Sequence, residues 1–474
     1  MKTIAVFGAL LSAAPLSLVS AQDRVEIRTP HAAQIAALLE QSGFAVLEGS
    51  IDFDSFELIV SADEQGMLER RGFKPILLQE GRPFRDVQAE RMAENPAAYA
   101  GGGYRNYLEV VQFLFEIAQA NPSICQVVNL THKYGLAPTF EGRRMWAVKI
   151  SDNVALEEDE PAFLMVSGFH AGEIVNPVIS MDAISRLVGG YGADPQITAA
   201  IDDNEIWVAP VWNPDGYRHV FANSSTWRKN RHVFPQGIGV DLNRNYRFGW
   251  YSSCAGSTSV SSGNYKGTSP ESEAETQHML AFTQDQRFAK VLDYHSTGRE
   301  TLWSYSGGQC FSHVFDSFLQ SEAIAISQAS GYFGANRRAS AVGEHYQWQM
   351  ATFGTYAFLT ETHDTQQPTY QSALDEAARV WPGTLLMLER PITVSGHVTA
   401  AGTGQPLAAR IFFPGLYTNH ESNGSGGPHG RYEAFLPPGT YTMVFVVPGY
   451  TNQSRTFTVV DNSTALVIDV AMGD

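Results

Sequence analysis

The sequence predicts an α/β protein with a mixed central sheet flanked by helices, set between a small α/β domain and a C-terminal β-sandwich. Apolar runs of strand length alternate with helical patterns as far as Pro391. Beyond Pro391, short alternating runs follow one another with no helical period. At 474 residues the chain is also too long for one ordinary core, so several domains are expected.

The composition excludes two broad classes. Hydrophobic content of 44% and charged content of 17% are typical of a globular protein rather than a disordered one. The net charge of −17 argues against a nucleic-acid partner, because binding to phosphates needs an excess of Lys and Arg.

The N-terminus carries an export signal. Lys2 precedes an apolar run from Ile4 to Val19, and Val19-Ser20-Ala21 resembles a cleavage site. We therefore expect residues 1–21 to be a signal peptide and the protein to be secreted, to the cell exterior or the periplasm. The alternative is a membrane anchor, but the run is short for a spanning helix, and no later run is long enough.

Residues 22–97 predict the small α/β domain and a connecting segment. Strand-like and helical runs follow the order βαββαβ, which is typical of a ferredoxin-like domain. Gly43 and Gly72 follow the two helices as stop signals. The polar stretch after it, with Arg82, Arg85 and Arg91, predicts a connection that a protease could cut.

Residues 98–391 predict the main domain. An amphipathic helix opens it, and short apolar strands alternate with helices, as in a parallel or mixed sheet. Chemistry gathers at the carboxyl ends of strands in such sheets. Four polar residues fall at predicted strand ends: His170, Asn213, His295 and Glu361.

Residues 392–474 read as short alternating strands divided by Gly, Pro and Asn, which predicts the β-sandwich. The chain has three cysteines, and export permits disulfides. Cys254–Cys310 is the expected pair because both lie in one region, although connectivity does not follow from sequence.

His170 and Glu173 stand as H-x-x-E between an apolar strand and a helix start. Such a pair also arises by chance, and the alternative is a surface His with a Glu at a helix dipole. A hydrolytic zinc centre takes three protein ligands, and His₂Glu is one such set. His295, directly after KVLDY, is the best-placed second histidine.

Two arginine clusters, WRKNR and DLNRN, lie between these histidines. They are either solvated loop charges or a pocket that binds a carboxylate and stabilises an oxyanion.

The motifs HAGE, NPDGY, WRKNR, DLNRN, LDYHS and FLTET occur in that order. Over about Tyr104 to Pro391 the chain resembles the zinc carboxypeptidases of the A/B type. The resemblance implies one Zn²⁺ per chain, peptide or protein substrates with a free C-terminus, and hydrolysis of the last peptide bond.

The resemblance also implies a role for each matching residue. The zinc ligands are His170, Glu173 and His295. Glu361 is the general base for the attacking water, and Arg228 polarises the scissile carbonyl and holds the oxyanion. The remaining residues bind the substrate's carboxylate (Asn243 and Arg244) or orient His170 (Asp241).

This chain departs from the family pattern in two places. Gly172 stands between the two first ligands, where A/B enzymes usually carry Arg. The mobile Tyr that caps substrate is missing, with Ala339 near its place and Tyr332 or Tyr346 as candidates to replace it. Lys229 and Arg231 are expected to be surface charges.

The specificity pocket is expected along 343–346, Leu302 and Leu359. With no Asp where basic-specific enzymes carry one, an apolar or aromatic C-terminal residue is expected. Arg337 and Arg338 leave an acidic preference open.

The outer domains resemble an inhibitory propeptide and the transthyretin-like domain of the family's other branch. We therefore expect a zymogen that an activating protease cuts near Arg82–Arg91. Two alternatives remain: a non-catalytic zinc-binding or adhesion protein on the same fold, and a carboxypeptidase that acts on peptidoglycan stem peptides.

Overall fold

The computed structural model describes residues 22–47, 50–305, 310–419, 421–463 and 465–473. The predicted signal peptide, residues 1–21, lies outside them. Within the described residues, no helix combines the length and the apolar character that a membrane crossing needs.

Six elements build the N-terminal domain in the predicted βαββαβ order. They are β1 (Gln22–Arg28), α1 (Ala32–Gln41), β2 (Ala45–Val46), β3 (Ser55–Ser61), α2 (Ala62–Arg70) and β4 (Ile76–Gln79). The strands pair antiparallel in the order β2-β3-β1-β4 around a core that includes Val25, Phe56 and Leu68. Ser61 caps α2 because its hydroxyl accepts from the backbone N of Glu64, whose carboxylate accepts in return from the Ser61 backbone N.

The segment after β4, predicted to be a connection that a protease could cut, contains regular structure. It folds into α3 (Phe84–Glu94) and a 3-10 turn, Pro96–Tyr99. Phe84 and Val87 are buried, in the same core cluster as the main domain. The polar composition concealed this, because two apolar residues spaced i, i+3 are enough to seat one face of a short helix.

The main domain continues the alternation of helices and strands. Its first half comprises α4 (Tyr107–Ala120), β5 (Cys125–Asn129), α5 (Leu130–Lys133), β6 (Trp146–Ile150), β7 (Ala162–Ser167), α6 (Val175–Gly190), α7 (Pro195–Asp202), β8 (Glu205–Ala209) and α8 (Pro214–Ala222). Its second half comprises β9 (Val233–Phe234), β10 (Gly237–Ile238), α9 (Ala274–Gln286), β11 (Lys290–His295), β12 (Glu300–Trp303), α10 (Asp316–Ala329), β13 (Asn336–Arg338), α11 (His345–Phe353), β14 (Tyr356–Glu361) and α12 (Tyr370–Glu389).

Eight of these strands form one mixed sheet in the order β13-β12-β14-β11-β7-β8-β6-β5. The central strands β14, β11, β7 and β8 run parallel, whereas β5, β6 and β12 pair antiparallel with their neighbours in at least one ladder. Every residue of β7 and β11 is buried, as expected for strands covered on both faces. The mixed sheet flanked by helices is thus confirmed.

The C-terminal region is a β-sandwich of short strands. They are β15 (Val394–Ala400), β16 (Arg410–Phe412), β17 (Asn423–Gly424), β18 (Arg431–Ala434), β19 (Gly439–Val446), β20 (Gln453–Val459), β21 (Leu466–Val467) and β22 (Val470–Met472). One sheet has the order β18-β15-β21, with β22 also on β15, and the other has the order β17-β16-β19-β20. Buried and half-buried residues alternate along β15, as in a strand with one face on a core.

The sandwich is bonded to the main domain. The backbone N and the hydroxyl of Ser422 donate to the carbonyls of Ala351 and Thr352, at 2.8 and 2.7 Å, in the last turn of α11. The Phe435 ring stacks on Tyr356 with 4.5 Å between centroids. Elsewhere in the main domain, Cys254 and Cys310 form a disulfide.

Candidate metal centre and catalytic cleft

A glycine turn places the first two candidate ligands. β7 ends at Ser167, and Gly168 follows with a φ of +71°. A Cβ on Gly168 would lie 3.1 Å from the carbonyl O of Pro210, so this turn accepts only glycine without strain. The chain then delivers His170 and Glu173 to the carboxyl edge of the sheet, just ahead of α6.

Two neighbouring strands deliver the other candidates to the same edge. β11 lies beside β7 and ends at His295, and β14 lies beside β11 and ends at Glu361. His295 and Glu361 are register partners in the parallel ladder. Adjacent parallel strands end together, which is why residues more than a hundred positions apart meet here.

The three candidate ligands form a tight buried cluster. Nδ1 of His170 lies 2.8 Å from Glu173 Oε1 and 3.0 Å from Nδ1 of His295. Nδ1 of His295 lies 3.4 Å from Glu173 Oε2. A ligand atom from each of the three side chains lies within 4.8 Å of the other two, and all three residues are buried.

The donor set fits zinc. Two imidazole nitrogens and a carboxylate converge on one point, which is the His₂Glu chemistry of hydrolytic zinc sites. The His295 ring is held in place by stacking on Phe169, with 5.6 Å between centroids. Among the described residues, buried Nε2 of His295 and Oε2 of Glu361 have no hydrogen-bond partner. Two buried polar atoms beside the cluster therefore remain unsatisfied by protein groups.

Asp241 supports this cluster from behind. Its Oδ1 lies 3.1 Å from Nε2 of His170, and its Oδ2 accepts from Arg228 Nε and Nη2 at 3.2 and 3.0 Å. Burial opposes the charge on Asp241, but Arg228 and then His170 outweigh it and hold the pKa of Asp241 well below its usual value. An ionised Asp241 favours the tautomer of His170 that turns Nδ1 toward the cluster.

Glu361 has a different electrostatic environment. Burial, then the negative charge of Glu173, raise the pKa of Glu361 well above the ordinary value for a carboxyl, although the charge of Arg337 acts in the opposite direction. A carboxylate in that condition holds a proton more strongly than an exposed one, which suits a general base.

The predicted substrate-binding residues line the same cavity as the ligand cluster. Arg228, Asn243, Arg244, Leu302 and Leu359 all reach it, together with the ligand cluster and Glu361.

Glu344, which sequence reasoning missed as a site residue, also lines this cavity. Glu344 Oε1 lies 3.1 Å from Nη1 of Arg244, and both side chains are buried. Glu344 belongs to the expected pocket segment, 343–346, but its carboxyl was not singled out from the sequence.

The two tyrosines considered as substrate caps are buried in the core. Tyr346 is fully buried and its hydroxyl donates to the carbonyl of Ser304, while Tyr332 donates to Glu376. Neither tyrosine can cap a substrate in this arrangement, because both are committed to the core.

Lys229 is also buried rather than a surface charge, and its ammonium donates to the carbonyls of Val260 and Ser262. Arg231 lies over the Trp227 ring at 4.6 Å, with its side chain only 11% exposed.

Gly172 is explained by its packing. A Cβ at this position would lie 3.1 Å from the carbonyl O of Trp227 and 3.3 Å from that of Ser225. The backbone O of Gly172 also accepts from Gln367 Nε2 at 3.0 Å. An arginine could not stand here unless the 225–227 segment moved.

The N-terminal domain closes one side of the cavity. Leu47, just after β2, lines it and is buried. Gln79, at the end of β4, donates to Ser225 Oγ at 2.9 Å and to Gln367 Oε1 at 2.8 Å. The hydroxyl of Thr226 donates to the backbone O of Gln22. These bonds fasten the N-terminal domain to the loop that carries Arg228.

Comparison with known proteins agrees with this geometry. A family model described as zinc carboxypeptidase matches residues 110–383. A zinc carboxypeptidase from Saccharothrix mutabilis subsp. capreolus is 33% identical over 157 residues, 33% of this chain and 34% of that protein. Carboxypeptidase A2 of Rattus norvegicus is 26% identical over 347 residues, 68% of this chain and 80% of that protein.

A solved structure is also similar. The crystal structure of carboxypeptidase A from Helicoverpa armigera superposes with a TM-score of 0.63 at 21% identity, over 77% of this chain and 96% of that one. The likeness supports the fold described above.

Proposed function

Because the chain belongs to the zinc carboxypeptidase family, we propose that it hydrolyses the last peptide bond of peptides and releases one C-terminal amino acid at a time. The observation that carries the proposal is a single cavity that receives His170, Glu173, His295, Glu361 and Arg244 together. A metal cluster, a base and a carboxylate-binding cation in one cleft are the parts that exopeptidase chemistry needs.

Zinc is the metal of this family, and His170 Nδ1, a Glu173 oxygen and His295 Nδ1 are the atoms assigned to hold it. When bound, zinc supplies a Lewis acid that polarises a carbonyl and lowers the pKa of water. Asp241 keeps His170 oriented through Nε2, so the ligand is pre-positioned by a buried, ionised carboxylate.

Glu361 is assigned as the general base. It takes the proton from the attacking water at a carboxylate oxygen and passes it to the amine that leaves. Its raised pKa matches that task, because a carboxylate of ordinary pKa accepts a proton too weakly near neutrality.

Arg228 and Arg244 are assigned to the two negative charges of the reacting substrate. The Arg228 guanidinium is held by Asp241 Oδ2, so it is fixed in place to stabilise the oxyanion that forms on the scissile carbonyl. Arg244, with Asn243 beside it, binds the free C-terminal carboxylate, for which a guanidinium is geometrically suited.

We propose an apolar or aromatic preference for the released residue. Leu302 and Leu359 supply apolar wall to the cavity. The acidic Glu344 faces Arg244 at 3.1 Å, so its charge is offset inside the protein rather than presented to a substrate cation.

We also propose that the protein is secreted and made as a zymogen. Leu47 lines the cavity, and the bonds of Gln79 and Thr226 hold the N-terminal domain over the loop before Arg228. Residues 22–97 were expected to be the mask, 98–391 the catalytic domain and 392–474 the C-terminal sandwich. Because α3 packs on the main domain, we place the boundary between the mask and the catalytic domain before α3.

The deciding experiment measures hydrolysis of blocked dipeptides that end in Phe, Lys or Glu, before and after removal of the N-terminal domain. We expect hydrolysis that a zinc chelator abolishes, fastest for Phe, and faster after removal. No chelator-sensitive hydrolysis after removal would contradict the enzyme and favour a binding protein on the same fold. Fastest release of Lys or Glu would contradict the apolar preference, and activity confined to peptidoglycan stem peptides would replace the substrate class.

A further inference from the structure

We infer that activation cuts the chain between Gly72 and Gly81, in or beside β4, and that α3 stays on the catalytic domain of the mature enzyme. The inference rests on the proposed zymogen and states where its processing site lies. The inferred cleavage site is an exposed apolar strand, whereas the sequence predicted cleavage at the basic residues near Arg82–Arg91.

α3 is anchored in the catalytic core by aromatic packing. Phe84 is fully buried, and its ring makes edge-to-face contacts with Tyr104 and Phe221 at centroid distances of 5.4 and 5.3 Å. Val87, one turn later, is 7% exposed in the same cluster. Departure of α3 would uncover this cluster to water, so α3 behaves as part of the domain it packs on.

Hydrogen bonds also attach α3 to the main domain along its length. Gln88 Oε1 accepts from the backbone N of Tyr104 at 2.6 Å. Arg91 Nη1 donates to the backbone O of Gln367 at 2.8 Å. Gln367 is the residue whose side chain also bonds Gly172, so the far end of α3 is attached next to the metal-binding turn.

The basic residues of this region are poor cleavage points. Lys74 and Arg82 are each followed by proline, which lacks the backbone N–H and resists the usual serine proteases that cut after basic residues. Arg85 and Arg91 lie inside α3. A protease reads its substrate as an extended strand, and α3 would have to unfold out of its aromatic anchor to offer one.

β4 already has the required conformation. It is an edge strand of the N-terminal sheet. Ile76, Leu77 and Leu78 are 43%, 50% and 46% exposed. An exposed extended edge with apolar side chains suits a protease that accepts a large apolar residue before the scissile bond.

The step is simple hydrolysis. One water is consumed and one peptide bond breaks, giving a new carboxylate on the released N-terminal domain and a new ammonium on the segment that leads into α3. The bonds of Gln79 to Ser225 and Gln367 lie at the boundary between the two products.

The first test treats the full chain with chymotrypsin and, in parallel, with trypsin. We expect chymotrypsin to give a catalytic product whose new N-terminus, read by sequencing and intact mass, lies between Gly72 and Gly81. Trypsin should give no product that begins beyond Glu94. A folded, active product that begins beyond Glu94, or has lost α3, would overturn the inference.

The second test asks whether α3 still stabilises the cut enzyme. Phe84→Ala should lower the unfolding temperature of the cut product by about 5 °C, Val87→Ala by less, and the control Met92→Ala, on the exposed side of α3, by almost nothing. Equal unfolding temperatures for all three cut products would mean that α3 had left. If Phe84→Ala does not fold, the milder Val87→Ala decides the question.

The two proposals fail separately. If the uncut chain is as active as the cut chain, the zymogen is wrong. The position of the cut and the stability of the cut variants still decide the fate of α3 in that case.

Discussion

Asp241 joins His170 to Arg228: one carboxylate oxygen lies 3.1 Å from Nε2 of the histidine, and the other accepts two hydrogen bonds from the guanidinium. The carboxylate that contacts a candidate metal ligand therefore also holds the cation assigned to the oxyanion. A change at Asp241 should affect both functions.

Asp241→Asn tests this link. We expect zinc affinity to fall about 10- to 100-fold, because the amide cannot support the His170 tautomer as an ionised carboxylate does. Competition with a chromophoric chelator measures the affinity, and Asp375→Asn, on the exposed side of α12, is the control. Unchanged zinc affinity in Asp241→Asn would show that His170 does not depend on this carboxylate.

Glu361→Gln tests whether Glu361 acts as the general base rather than as a metal ligand. The amide keeps the shape but cannot take a proton, so kcat should fall about 10²- to 10⁴-fold. Zinc content, measured by elemental analysis, should stay at one per chain, because Glu361 lies outside the ligand cluster. Glu389→Gln, at the exposed end of α12, serves as the control. A variant that lost its zinc would instead assign Glu361 to the metal.

Arg244→Lys tests recognition of the free carboxylate. Lysine keeps the charge but loses the two-pronged geometry, so KM should rise about 10-fold or more while kcat changes less. The preference for a free acid over the same peptide amidated should shrink as well. Arg379→Lys, with a side chain 45% exposed, is the matched control. An unchanged ratio between acid and amide would place carboxylate recognition elsewhere.

His397 predicts a pH-dependent contact between the sandwich and the main domain. Its Nε2 lies 2.9 Å from Asp159 Oδ1 and its Nδ1 lies 3.0 Å from Asp469 Oδ1. Burial lowers the pKa of His397, but the two carboxylates outweigh it and the net pKa is raised; Arg431, also bonded to Asp159, is the other charge nearby.

The sign of that dependence follows from the raised pKa. The stabilisation is fully present below the ordinary histidine pKa of about 6.5 and is lost as pH rises through the higher folded-state pKa. We expect the difference in unfolding temperature between the natural protein and His397→Gln to be largest near pH 5 and to shrink by pH 9. A difference that grows with pH would refute the contact as described.

The meeting of the candidate site residues at one edge of the sheet could be predicted because they stand in short motifs next to strands. His170 and Glu173 follow a buried strand through a glycine turn, and His295 and Glu361 end neighbouring strands. Strand ends in a parallel sheet meet by topology, so linear order was a good guide to geometry.

The features that could not be predicted depend on packing between distant segments. Glu344 pairs with Arg244 across a hundred residues, and neither lies in a pattern that requires the other. Tyr332 and Tyr346 were candidates for the capping Tyr because of their positions in the chain, but their hydroxyls bond Glu376 and Ser304 in the core. The anchor of α3 depends on the rings of Tyr104 and Phe221, which its own sequence does not reveal.

The bonds from Ser422 give the sandwich a mechanical role. α11 is nine residues long, about 13 Å, with Glu344 directly before its first residue and the carbonyls of Ala351 and Thr352 in its last turn. Ser422 caps those carbonyls from another domain, completing a helix terminus that would otherwise face water. The helix thus connects the sandwich, which holds its last turn, to Glu344 and the cavity at its first residue. We expect that loosening of the Ser422 contact would displace the proposed specificity pocket before it disturbed the ligand cluster.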